Sequence, residues 1–203
     1  MARVVDGPGR TARGRRPKGQ GPDLRESILD AAESLFSRHG FYGVTVRQVA
    51  AEAGVDTALI HYYFGAKREL FDSVFARRAD HLNKVRLDAM RSYAERSGGN
   101  MTTEGVIEAF IGPLLDLSLT NDERWKNYFR LVALVNNTPA WGGETMHRFC
   151  DPVVEELIGL WRRALPQAEP RDLYWGYQFL TGAMMLTLSE TGRIDQLSGG
   201  LCR

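Results

Sequence analysis

Between Leu24 and Leu70 three short helical patterns follow one another, and the break between the second and third, Ala53-Gly54-Val55-Asp56, is only long enough to turn one helix onto the next. The first pattern, Leu24 to His39, sets Ile28, Ala31, Ala32, Leu35 and Phe36 on one stripe, the spacing of a helix with a single buried side, and Gly40 ends it. Thr45 stands as N-cap of a helix from about Val46 to Ala53, with Val46, Val49 and Ala50 inward and Arg47 and Gln48 outward. Gly54 supplies the left-handed residue that closes it. Asp56 caps a third helix, Thr57 to about Phe64, anchored by Leu59, Ile60 and Phe64, with Thr57, Ala58, His61 and Tyr62 outside. A helix this short holds only by packing on its neighbours, so its outer side chains are rigidly presented. The pattern is a helix-turn-helix, which makes DNA the first candidate partner.

Gly43-Val44-Thr45-Val46-Arg47-Gln48-Val49-Ala50-Ala51-Glu52-Ala53-Gly54-Val55, followed by Ile60-His61-Tyr62-Tyr63-Phe64-Gly65-Ala66-Lys67-Arg68-Glu69-Leu70, resembles the DNA-binding domain of TetR-family transcriptional regulators. One departure is His61, where most members carry tyrosine directly after the aliphatic anchor of the third helix. The resemblance implies a homodimer on a pseudo-palindromic operator, with a small molecule in a helical second domain changing the separation of the two DNA-binding heads. It also implies that Tyr62 and Lys67 touch phosphate.

With 203 residues and 43% hydrophobic content the chain can build a small domain joined to a larger one. Apolar runs such as Leu180 to Leu188 are too short and too interrupted to span a bilayer, and Met1 to Gln20 lacks the apolar core of a signal peptide, so a cytoplasmic protein is expected. Cys150 and Cys202 form neither a disulfide framework nor a metal motif, and no cofactor is expected. The net charge of +1 conceals an asymmetry: before position 23 stand Arg3, Arg10, Arg13, Arg15, Arg16 and Lys18 against Asp6 alone. Residues 1–22 therefore read as a flexible basic arm, either threading along DNA or simply solvated.

Residues 23–70 form the expected DNA-binding domain and 71–203 a helical effector-binding and dimerisation domain, so the fold class is all-α. Phe71, Val74, Phe75, Ala79, Leu82, Val85 and Met90 mark a long fourth helix, a lever between the domains, ending near Ser97. A fifth, about Thr103 to Leu119, should bend at Gly112-Pro113. A sixth covers about Asp122 to Val135. Asn137 to Gly143 reads as a loop, Glu144 to Phe149 as a short helix, and Asp151-Pro152 as the start of another reaching Leu165. The last, about Arg171 to Thr191, is apolar on more than one side and needs cover that one chain of this size does not supply. The pair of final long helices is thus the expected dimer interface, through Leu157, Trp161, Trp175, Phe179 and Leu186.

Phe110, Trp125, Tyr128, Phe129, Trp141, Met146, His147, Phe149 and Met184 form the candidate effector pocket for an apolar or amphipathic compound, an aromatic and methionine-rich set that core packing would also explain. The candidate DNA contacts are Thr45, Arg47, Thr57, Ala58, His61, Tyr62 and Lys67. A His61 facing phosphate would bind more tightly when protonated, so operator affinity would fall from about pH 6 to about pH 8. Two rival readings are a DNA-binding dimer with no effector, and an enzyme using His147 and Cys150, three residues apart on one helical face. The enzyme reading lacks a visible oxyanion site.

Overall fold

The computed structural model describes residues 23–202, and among them all regular structure is helical. The basic arm at 1–22 lies outside the described residues. Helices α1 (Leu24–His39), α2 (Val46–Ala53) and α3 (Thr57–Phe64) form a head. Helices α4 (Lys67–Ser97), α5 (Thr103–Ser118), α6 (Glu123–Asn136), α7 (Gly142–Ala164), α8 (Pro170–Leu188) and α9 (Arg193–Leu197) follow.

In the head, local chemistry sets every boundary. The Asp23 carboxylate accepts from the Arg25 amide at 3.0 Å to open α1, and the Asp56 carboxylate accepts from the Ala58 amide at 2.7 Å to open α3. Thr45 and Gln48 make a reciprocal capping box at the start of α2. Gly54 ends α2 at φ 66° and ψ 34°, a left-handed geometry that a side chain would strain. Ile28, Ala32, Phe36, Val49, Ile60 and Phe64 pack beneath these helices against Leu70, Phe71, Val74 and Phe75 of α4.

α4 therefore belongs to both parts of the molecule. Its first turns complete the core of the head, and a buried ion cluster ties it to α1: the Glu33 carboxylate accepts from Arg77 Nη2 at 2.5 Å and Arg78 Nε at 3.3 Å. Arg77 also reaches Asp30 at 2.8 Å. Further along, the buried stripe runs Phe75, Ala79, Leu82, Arg86, Met90. Val85, expected inside, is 37% exposed, and Arg86 occupies the inward position instead. The offsets of four, three, four and four place Arg86 squarely on that stripe.

Three differences from the sequence reading concern α7, α8 and α9. The short helix at Glu144 to Phe149 and the one opening at Pro152 are a single helix, Gly142–Ala164, with Pro152 inside it. A proline there leaves the Arg148 carbonyl without its intrahelical donor and opens the preceding turn. The apolar stripe of Thr145, Cys150, Val153, Leu157, Leu160 and Trp161 continues across the proline and holds both halves on one axis. Asn83 Nδ2 of α4 donates to the Phe149 carbonyl at 2.6 Å, three residues before the proline. α5 repeats the arrangement around Pro113, where Arg86 Nε of α4 donates to the Phe110 carbonyl at 3.2 Å. α8 stops at Leu188 rather than near Thr191, and the five-residue α9 after it has too few positions for periodicity to reveal.

Candidate functional site

The exposed sides of α2 and α3 contribute to the outer surface of the head. On α3, Ile60 and Phe64 are buried, and Ala58, His61 and Tyr62 are exposed on the other side, with Thr57 half-buried beside them. Tyr62 is 81% exposed and its ring lies 5.4 Å from that of Tyr63. Arg47 on α2 is exposed. The small Ala58 on this exposed side suits close approach to the edge of a base pair.

Two of the expected contacts are already engaged. The Thr45 hydroxyl accepts from the Gln48 amide at 3.2 Å and donates to Gln48 Oε1 at 2.9 Å. Its one proton is thus committed, and a phosphate must displace Gln48 to take it. Gln48 Oε1 also accepts from the Thr45 amide at 2.8 Å, so the Gln48 side-chain NH2 group is oriented at the mouth of α2. Gln48 is a candidate contact that the sequence reading passed over, although the Thr-x-x-Gln signature was present. His61 shares a 2.8 Å hydrogen bond with the Gly65 carbonyl. Since a carbonyl only accepts, Nδ1 carries the proton and Nε2 is left for an outside partner.

Lys67 opens α4 with its ammonium 4.3 Å above the Phe41 ring, and desolvation there lowers its pKa. A cation at a helix N-terminus opposes the helix dipole, so an anion beside it would relieve that repulsion. Phe41 leads into an aromatic seam between head and body. Phe36, Phe41, Phe71 and Trp141 stack edge to face with centroids 5.2 to 5.4 Å apart for Phe36–Phe71, Phe41–Phe71, Phe41–Trp141 and Phe71–Trp141. Trp141 Nε1 donates to the Tyr42 hydroxyl at 3.0 Å, and Arg68 lies 4.5 Å over the indole while donating to the Thr145 hydroxyl at 2.8 Å.

A chamber lies between α4, α5, α6, α7 and α8. Of the expected pocket residues it brings together Phe110, Tyr128, Phe129, Met146 and Met184, and adds Leu82, Asn83, Arg86, Leu114, Val132, Tyr177, Thr181 and Met185. Trp125, Trp141, His147 and Phe149 are not in its lining. Trp125 packs on His81 and Phe129, Phe149 on Phe75, and Trp141 sits in the seam. His147 is exposed and pairs with Asp151. The chamber encloses about 30 Å³, room for about one water. Cys150 turns inward from His147, and burial pushes its thiol up to about 11, the reverse of what a nucleophilic thiolate needs.

Of the expected interface residues, Leu157 and Trp161 are buried within the chain, and Trp161 Nε1 has no partner among the described residues. Trp175, Phe179 and Leu186 are 56%, 71% and 65% exposed, and the first two stack at 5.9 Å. They form an apolar stripe down the outer side of α8, with Gly182 open beside them.

Residues 28–74 match the family described as bacterial regulatory proteins, tetR family, and residues 108–203 match the tetracyclin repressor-like C-terminal domain. The HTH-type transcriptional regulator BetI of Agrobacterium fabrum is 36% identical over 80 residues, covering 39% of this chain and 37% of BetI. The HTH-type transcriptional repressor BepR of Brucella suis is 34% identical over 118 residues, 58% of this chain and 53% of BepR. The chain thus aligns with only about a third to a half of these relatives' lengths. Among solved structures, a transcriptional regulator of Pseudomonas aeruginosa superposes with a TM-score of 0.59 at 18% identity over 82% of this chain and 79% of its own. FadR of Bacillus subtilis, determined with stearoyl-CoA, gives 0.59 at 18% over 84% and 88%. At that identity the two superpositions carry the fold alone.

Proposed function

Since the chain belongs to the TetR family of DNA-binding transcriptional regulators, we propose that it is a homodimeric repressor that grips a pseudo-palindromic operator and lets go when a small molecule fills the chamber. In this reading it is not an enzyme, and its place of work is the cytoplasm, where the DNA is. No helix among the described residues is long and apolar enough to cross a membrane. Residues 23–70 form the DNA-binding domain and 71–203 the effector-binding and dimerisation domain. The observation that carries the proposal is α4 itself, which begins at Lys67 beside the head's outer face and presents Leu82, Asn83 and Arg86 to the chamber.

Arg47 reads a base edge, Thr57 and Ala58 approach the groove floor, and Tyr62, Lys67, Thr45 and, when its Nε2 is protonated, His61 take phosphates. Dimerisation uses the exposed stripe of Trp175, Phe179 and Leu186, which supports an interface narrower than the one expected from sequence. Gly159 on the outside of α7 and Gly182 on α8 have nothing within 4 Å of a Cβ position, so a partner helix can approach closely at both. Two heads about one DNA turn apart then read both half-sites.

The test is a mobility shift with DNA from upstream of the protein's own gene at fixed salt, because phosphate contacts make affinity salt-dependent. The double variant Arg47→Ala, Tyr62→Ala is expected to bind at least about a hundredfold more weakly. Undiminished binding would refute the site assignment. The small volume of the chamber supports a second reading, a DNA-binding dimer with no effector. Apolar compounds that raise the melting temperature would exclude it, since only ligands of the native state do so.

A further inference from the structure

The chamber contains a positive charge that no described residue balances. Arg86 is only 7% exposed, and among the described residues no carboxylate lies within 4.0 Å of its guanidinium. Its contacts are the Phe110 carbonyl, 3.2 Å from Nε, and the Phe110 ring, whose centroid is 3.8 Å from the guanidinium carbon. The ionisable groups facing it from the other helices are Tyr128 of α6, Cys150 of α7 and Tyr177 of α8. Burial keeps all three protonated, raising the two phenols and pushing the thiol up to about 11. None offers an anion at neutral pH. Burial also lowers the guanidinium to about 10, which leaves it charged.

A lone buried ion destabilises a fold, and chains keep such groups where they serve a purpose. A second polar group lies in the same wall: the Thr181 hydroxyl is buried with only the Tyr177 phenol beside it as a polar neighbour among the described residues. The remaining wall is largely apolar, with Met146, Met184 and Met185 able to change rotamer around a guest.

We propose that the occupant of this chamber is an amphipathic monocarboxylate, its headgroup held by the Arg86 guanidinium and the Thr181 hydroxyl and its apolar tail lodged among the methionines. The assignment rests on reading the chamber as an effector site and specifies the chemistry of the effector. One guanidinium balances one negative charge, which selects a carboxylate over a doubly charged phosphate. The present volume is smaller than the guest, so headgroup and tail both enter as the methionines turn aside. A carboxylate on Arg86 competes with the Phe110 carbonyl, so binding loosens α4 from α5.

The test uses the full-length protein with decanoate and 4-phenylbutyrate, each beside its methyl ester, by calorimetry and thermal shift. The acids are expected to bind about tenfold or more tighter than the esters, the value of a charge-assisted hydrogen bond. In Arg86→Met that preference disappears while the melting temperature of the unliganded protein rises. Arg86→Lys keeps part of the preference. Esters binding as well as acids, or an acid preference that survives in Arg86→Met, overturns the carboxylate assignment and leaves the chamber reading intact. Binding by none of the four compounds overturns both. Loss of helical circular dichroism in Arg86→Met assigns the guanidinium a structural role and overturns the proposal.

Discussion

The head and the body are built from the same helices but treat their polar groups differently. In the head, α1, α2 and α3 each begin with a side-chain cap and each ends on glycine. In the body, α7 and α8 begin without side-chain caps, α5 and α7 contain prolines, and Trp161 Nε1 is buried with no partner among the described residues. A surface that must fit DNA needs one geometry, and the capped head supplies it. A chamber that must open needs helices whose carbonyls are held from outside, and Asn83 and Arg86 hold them.

The contrast is sharpest for truncations of buried side chains. Ile60→Ala is expected to cost about 3–4 kcal/mol in urea unfolding and to abolish DNA binding, whereas Met184→Ala should cost about half as much because the chamber beside it can close. Equal costs would break the comparison. Gly54→Ala should lose about 1–2 kcal/mol by forcing a left-handed alanine, although nothing crowds the site.

The next effect is alkaline and belongs to the body. The Cys150 thiol titrates at about 11 in the fold against an ordinary 9.0, so above pH 9 the unfolded chain loses that proton first and stability falls as pH rises. The drop between about pH 9 and about pH 10 should be about 1 kcal/mol and should flatten in Cys150→Ser, read from melting temperatures. Above that range Arg86 opposes it, because a guanidinium lowered to about 10 deprotonates earlier in the fold. Smallest and of opposite sign to Gly54, Gly159→Ala should stabilise by about 0.5–1 kcal/mol, since Gly159 lies within α7 with open space around it. Because Gly159 also faces the proposed partner helix, the same change is expected to weaken the dimer in sedimentation even as it stabilises α7.

The head was legible in the sequence because its signals are local: Thr45, Gly54 and Asp56 each fix a boundary by their own chemistry. The body was less so because its decisive features are long-range. Pro152 following Asp151 has the local form of a helix start, and only the stripe continuing to Trp161, with Asn83 at the Phe149 carbonyl, keeps α7 whole. Arg86 between Val85 and Leu87 looks like a solvated helix charge until its offsets to Leu82 and Met90 are counted. Trp141 had the composition of a pocket residue, and its position in the seam depends on Tyr42 and Phe41, about a hundred residues away in the chain.

That seam also gives the molecule a built-in optical probe. Of four tryptophans, Trp125 and Trp161 are buried in the body and Trp175 lies on the outer stripe of α8, while Trp141 alone joins head to body through Tyr42. Its indole has the Arg68 guanidinium over its face and the Tyr42 phenol at its nitrogen, two neighbours that shift and quench emission and that both come from the head side of the seam. A tilt of the head relative to α7 therefore changes the colour and yield of one fluorophore, so the difference spectrum against Trp141→Phe reports the position of the DNA-binding surface without a label.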